Sequence, residues 1–261
     1  MNAAQLIAQD LSVQTSQVEA ALQLFSESAT VPFIARYRKE RTGQLDETQL
    51  RQVAEKNDYI NELTARKQTV LEAIKKQAAL TPKLESQIKQ CNSKTELEDI
   101  YLPYKPKRRT RATIAKEKGL SPLAEEISRL NQARQIEVDL EAIANPYLSD
   151  QVATADEALQ GAADILAETM AEQAPLRAYV RHFFLKKGQF SSKIKSGHPE
   201  GSTKYEMYRS YQVPVSKIAP HNLLALMRGE KEGVLKLSLV FDESEILEYL
   251  VNTQLRSSHR V

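Results

Sequence analysis

A run of cations beside two aromatic residues is the feature of this sequence best suited to chemistry, and the chemistry is the capture of a polyanion. Lys105, Lys107, Arg108, Arg109, Arg111, Lys116 and Lys118 lie close together, interrupted by one acid, Glu117, and preceded by Tyr101 and Tyr104. Guanidinium forks match phosphate oxygens, ammonium groups add point charge, and tyrosine rings offer faces on which bases stack. A solvated loop or the docking site of an acidic protein would carry the same run. Tyr104 and the seven cations are the candidate nucleic-acid contacts. A second cluster, Arg36, Arg38, Lys39 and Arg41, is expected to pair with acidic side chains of a partner or neighbouring domain, with phosphate as the other use.

Catalytic constellations are not visible. Asp242, Glu243, Glu245 and Glu248 follow a strand-like segment, where carboxylates can hold magnesium. No second acidic cluster on another strand accompanies them, and Asp242 and Glu245 suit the first turn of a helix, where acids complement the dipole. The sequence contains no G-x-S-x-G, no G-x-x-x-x-G-K-[ST] and no G-x-G-x-x-G. Its four histidines are scattered, and Cys91 is the only cysteine, which excludes an internal disulfide and a cysteine-based zinc site. The expectation is a protein that is not an enzyme and needs no metal or cofactor.

The elements that must position these groups are helical. Only 8 glycines and no tryptophan occur among 261 residues dominated by helix formers. Apolar stripes predict short helices over residues 3–10 and 15–28, joined by a tight turn. They form either a helix-turn-helix or an ordinary helical hairpin, and the second segment carries no Arg or Lys to meet phosphate. Pro32 opens a helix that ends at Thr42-Gly43. Asp46 with Gln49 starts a long one over 45–79, and Thr81-Pro82 begins a helix that folds back on it; Thr95 with Glu98 is expected to cap a further one. Pro103 and Pro106 force an ordered loop.

Downstream, Ser121-Pro122 and Thr154 with Glu157 mark two helix starts, and Ala158, Leu159, Ala162, Leu166 and Met170 form a small-residue face. One more helix is expected over 175–187, followed by a boundary rich in Gly, Ser and Lys over 188–203. Tyr205, Tyr208 and Tyr211 are expected on one helical face, and a short helix over 221–228 precedes a strand over 233–240. That strand would pair with the segment around 190–195 or join a sheet completed by residues outside the chain. The fold class is mainly α: a multi-helical domain over 1–190 with a helix-turn-helix-like start and a long hairpin over about 46–104, then a linker and an incomplete following region with a small β element over 191–261.

Net charge is only +2, so attraction to nucleic acid must come from local patches. Residues 1–10 lack the order of a signal peptide, and no apolar run is long enough to span a bilayer. A soluble, cytoplasmic protein is expected.

Three strings then carry a resemblance: VPFIARYRKERTGQLD at 31–46, YLPYKPKRRT at 101–110 with ELEDI before it, and LMRGEKEGVLKL at 226–237. Together, in this order, they resemble the Tex family of bacterial transcription accessory proteins. Family members continue into an RNase H-like YqgF-type domain, helix-hairpin-helix elements and a C-terminal OB-fold RNA-binding domain. The resemblance therefore implies the N-terminal portion of such a protein, truncated before those domains. It implies a cytoplasmic, non-catalytic scaffold in transcription regulation whose partners are RNA or DNA, bound weakly by this portion, the missing domains and the transcription machinery. The alternative is a protein–protein interaction module with nucleic-acid binding confined to the absent domains.

Overall fold

A computed structural model describes residues 2–132 and 138–255. Among them are 13 α-helices and one small sheet of three strands, so the chain is mainly α with a small β element. It divides into two compact units, residues 1–104 and 105–261.

The first unit contains α1 (Ala3–Leu11), α2 (Thr15–Ser26), α3 (Val31–Tyr37), a 3-10 turn Lys39–Thr42, α4 (Glu47–Lys76), α5 (Pro82–Gln90), α6 (Lys94–Tyr101) and a final 3-10 turn Leu102–Tyr104. Most boundaries are set by local hydrogen-bonding chemistry. Helix α1 opens on a reciprocal Asn2–Gln5 box and stops where Ser12 turns left-handed at φ 55°. At the head of α4 the Gln49 amide donates to Asp46 Oδ1 at 2.7 Å, and the Asp46 amide donates to Gln49 Oε1 at 3.0 Å. Two otherwise orphaned donors are thereby satisfied. Asp46→Ala is expected to lower stability by about 1 kcal/mol, the usual worth of such a cap, as a reduced urea midpoint with an unchanged slope.

The 30-residue α4 serves two cores. Its first half buries Leu50 and Val53 with Ile7, Val18, Leu24 and Ile34 of α1–α3. Its second half buries Leu63, Val70 and Ile74 with Leu84, Ile88, Leu97 and Tyr101 of α5 and α6. The expected Thr95 cap is corrected: α6 starts earlier, because Ser93 adopts extended geometry and its Oγ accepts from the Glu96 amide at 3.0 Å. Glu98 thereby faces α4, where Arg66 Nε donates to it at 2.7 Å. The Arg66 guanidinium also lies 5.5 Å from the Tyr101 ring centroid, where the ring face attracts a cation.

The second unit contains α7 (Arg111–Glu117), α8 (Ser121–Gln132), α9 (Leu140–Ala144), α10 (Ala155–Ala171), α11 (Ala174–Lys187), β1 (Gln189–Ile194), β2 (Ser210–Pro214), α12 (Pro220–Lys231), β3 (Leu235–Val240) and α13 (Glu243–Gln254). Strand β1 is central, antiparallel to both neighbours in the order β2-β1-β3, with Ser192 opposite Tyr211 and Leu237. The strand over 235–240 thus pairs within the chain.

The tyrosine expectation is also corrected. Tyr205 precedes a 3-10 turn Glu206–Tyr208, and Tyr211 lies on β2, because residues 210–214 alternate in burial and complete the ladder of β1. The three rings still enter one core, with Leu226 and Leu235. The Tyr208 hydroxyl donates to Asn222 Oδ1 at 3.0 Å, and Asn222 Nδ2 donates to the Tyr211 hydroxyl at 3.3 Å. The loop before them is tied down by Arg209, which forks onto Glu206 at 2.8 and 2.9 Å and donates to the Pro199 carbonyl at 2.9 Å. The Arg209 hydrogen bonds lower the pKa of the Glu206 carboxyl to about 2.

Candidate nucleic-acid interface

The basic run belongs to the second unit and rests on α10. Thr110 caps α7: its Oγ1 accepts from the Thr113 amide at 3.0 Å. Helix α7 can lie close to α10 because α10 presents Ala158, Gly161 and Ala162. A Cβ on Gly161 would stand 2.3 Å from Leu120 Cδ1 and 3.3 Å from Ala115 Cβ.

That close approach sets the cations over three acids, Asp164 and Glu168 of α10 and Glu172 just beyond its end, which share a face at four-residue spacing. Lys107 reaches Glu168 at 3.2 Å and also pairs with Glu172. Lys116 reaches Glu168 at 3.4 Å, and the Thr110 hydroxyl donates to Glu168 Oε1 at 2.8 Å. Side-chain exposure is only 27% at Lys107 and 15% at Glu168. The Lys107 pairs are accordingly less screened than surface ones, whereas Lys116 is 45% exposed. Burial works against the charge of Lys107, but hydrogen bonds to Glu172 and Glu168, together with their charges, hold its ammonium above the ordinary lysine value. Burial likewise opposes ionised Glu168, and the bonds from Thr110 and Lys107 with the nearby lysine charges outweigh it, leaving the carboxyl below its ordinary value.

The rest of the run points to solvent. Arg108 and Lys118 are exposed and have no carboxylate within 4.0 Å among the described residues. Arg109 pairs with Glu117 at 2.7 Å, both half exposed or more, and Arg111 is 85% exposed with Asp164 at 3.8 Å. Exposed pairs of this kind are weak and exchange readily with a competing anion. Lys105 is exposed as well. Six of the seven sequence-predicted cations therefore fall into two groups: Lys107 and Lys116 contact the acids of α10, whereas Arg108, Arg109, Arg111 and Lys118 present charge outward. Tyr104 belongs to the first unit; its ring is half buried on the α4–α6 core and its carbonyl accepts from Gln77 Nε2 at 2.8 Å.

Sequence reasoning missed the acids of α10. The signal was available as Asp164, Glu168 and Glu172 at successive four-residue steps, but nothing local tied that stripe to a basic run some fifty residues earlier.

Two members of the second cluster, Arg38 and Arg41, line a depression in the first unit. Arg36 lies on α3, Lys39 and Arg41 lie in the following 3-10 turn, and Arg38 joins the two elements. The Arg38 guanidinium sits 5.3 Å from the Phe33 ring centroid, and Arg38 Nη1 donates to the Tyr37 carbonyl at 3.0 Å. Arg41 approaches Glu27 only to 3.9 Å. Asp242 caps α13: its Oδ1 accepts from the Ser244 amide at 2.9 Å and from the Ser244 hydroxyl at 2.6 Å, and these bonds lower the pKa of its carboxyl.

Comparison with known proteins agrees with the strings at 31–46, 101–110 and 226–237. Residues 1–75 match the Tex-like protein N-terminal domain, and residues 135–260 match the Tex central region. The transcriptional accessory protein Tex of Neisseria gonorrhoeae is 43% identical over 245 residues, which cover 94% of this chain and 32% of that protein. Protein tex of Bordetella pertussis is 42% identical over 233 residues, or 88% of this chain and 29% of its own length. The human S1 RNA-binding domain-containing protein 1 is 25% identical over 229 residues, 84% of this chain and 22% of that protein. The chain spans about a third of the length of its bacterial relatives. With two family regions matched in order and this identity along nearly its whole length, the chain belongs to the Tex family.

Proposed function

We propose that this chain is a non-catalytic scaffold of a transcription accessory factor, working in the cytoplasm, that contacts RNA or DNA through the outward cations of residues 105–118. The observation that carries the reading is the division of labour in that segment. Lys107 and Lys116 pair with Glu168 and Glu172, and Arg108, Arg109, Arg111 and Lys118 project outward with weak carboxylate partners or none among the described residues. Pre-ordered cations lose little conformational entropy when they meet phosphate. The name of the gonococcal relative, a transcriptional accessory protein, and that of the human one, an RNA-binding-domain protein, support the same class of partner.

The test is fluorescence anisotropy with labelled RNA and duplex DNA at two salt concentrations. Binding should weaken steeply with salt, by a slope of about 0.7 to 0.9 per phosphate neutralised, and the triple variant Arg108→Ala, Arg109→Ala, Arg111→Ala should lose most of it. Equal binding by the variant would remove the segment from the interface. Absence of binding at low salt, with capture of an acidic protein partner instead, would favour the protein-interaction reading.

A further inference from the structure

We propose that the first unit carries its own site for single-stranded nucleic acid, in which the exposed Tyr37 ring stacks a base beside Phe33 and Arg41, with Arg36 and Lys39 nearby in sequence, takes the backbone phosphates. The site is separate from residues 105–118 and does not rest on their role.

Four observations converge on it. First, two aromatic rings that would ordinarily be buried stand in solvent: Phe33 is 41% exposed and Tyr37 61% exposed, with centroids 5.5 Å apart and planes tilted by 48°. The same short helix does have a core residue, fully buried Ile34, so the exposure of its neighbours is not a failure of the helix to pack. Second, Phe33 borders a depression of about 450 Å³ whose wall includes Leu24, Thr30, Arg38 and Arg41, with one acid, Glu27. Third, Arg38 donates to the Tyr37 carbonyl and its guanidinium lies over Phe33, so a cation and a ring are presented side by side. Fourth, the charge is only partly compensated. Arg36 and Lys39 have no carboxylate within 4.0 Å among the described residues, and Glu27 stands 3.9 Å from Arg41, beyond hydrogen-bonding reach.

Arginines interleaved with exposed rings are the arrangement that single strands require, because stacking uses the face of any base while the cations track the backbone. A duplex keeps its base faces inside the helix and would use only the charge. An acidic protein segment would likewise satisfy the arginines and leave Tyr37 and Phe33 without a role.

The experiment titrates the whole chain, in the Arg108→Ala, Arg109→Ala, Arg111→Ala background, against labelled ten-nucleotide single-stranded RNA, single-stranded DNA, the same DNA as duplex, and an abasic strand of equal length. Single strands should bind better than the duplex or the abasic strand. Tyr37→Ala should weaken single-strand binding roughly tenfold through loss of stacking, and Tyr37→Phe should restore it. Arg41→Ala should reduce the salt slope by about 0.7. Tyr37 is mostly exposed, so the variants should keep the wild-type circular dichroism. The proposal is overturned if no single strand binds in this background, if the abasic strand binds as well as the intact one, if Tyr37→Ala binds like its parent, or if an aspartate-rich peptide binds through Arg41 while oligonucleotides do not. The background removes three of the four outward cations of residues 105–118, and the effects of Tyr37→Ala and Arg41→Ala are read against it.

Discussion

Gly161→Leu should be the most damaging single substitution in the second unit, costing about 3 kcal/mol or more through overpacking. The first atom of any side chain at this position would come 2.3 Å from Leu120 Cδ1, and Leu120 is buried in the same core as Leu123, Ala124 and Ala162. The smaller change Gly161→Ala sets two effects against each other. Helix propensity favours alanine by about 1 kcal/mol, while the contact with Leu120 opposes it. We expect the contact to win, because relief requires moving a packed leucine that helps hold α7 and α8 on α10. The coupling is measurable: in a Leu120→Ala background, itself about 2 to 5 kcal/mol less stable, Gly161→Ala should become favourable. A raised urea midpoint for Gly161→Ala alone would show that α7 does not depend on this close approach.

Glu168→Gln is expected to have two opposite effects, lower stability and tighter nucleic-acid binding. Glu168 receives Lys107, Lys116 and the Thr110 hydroxyl. Loss of its charge weakens charge-assisted bonds worth about 2 kcal/mol, together with the Coulomb attraction to both lysines. Lys107 keeps Glu172, so the segment should loosen without detaching. Released in part from α10, Lys107 and Lys116 can reach phosphate, and the salt slope for oligonucleotide binding should steepen by about one to two. Unchanged affinity and slope would mean that these lysines never approach the ligand.

The same pair predicts the pH dependence. The carboxyl of Glu168 is depressed in the folded chain, so on acidification the unfolded chain takes up the proton first. Its stabilising contribution is complete above the unfolded carboxylate value of about 4.3 and is lost as pH falls through the lower folded value. Lys107 behaves in the mirror sense, because its ammonium is raised in the folded chain. Its contribution is present below the unfolded lysine value of about 10.4 and is lost as pH rises through the folded one. Urea midpoints of wild type and Glu168→Gln should therefore converge toward strong acid.

Much of this architecture is written locally. Asp46 with Gln49, Thr81 before Pro82, and Thr154 with Glu157 mark helix starts where the structure has them, because a cap is a bond across three residues and needs no tertiary partner. Local reading erred where two local signals competed. Ser93 and Thr95 are both able caps, and the choice of Ser93 leaves Glu98 facing Arg66 on α4, a contact more than thirty residues away in sequence. Tyr205, Tyr208 and Tyr211 have helical spacing, yet β1 needs a partner along its open edge, and the ladder outweighs the periodicity.

The candidate interface divides in the same way. Density and composition of the cations at 105–118 and 36–41 are properties of the chain itself, as are its helical class, the length of α4 and the family strings. Which cations are available to a ligand was decided only by packing. Small residues on α10 admit α7 at close range, and that approach commits Lys107 and Lys116 to Glu168 while leaving Arg108 and Lys118 outward. The exposure of Tyr37 and Phe33 was settled similarly, by which face of α3 carries Ile34 into the core. Charge and local hydrogen bonding are legible from neighbours in sequence, whereas burial and ion pairing depend on distances between residues far apart in the chain, and only the folded chain sets those distances.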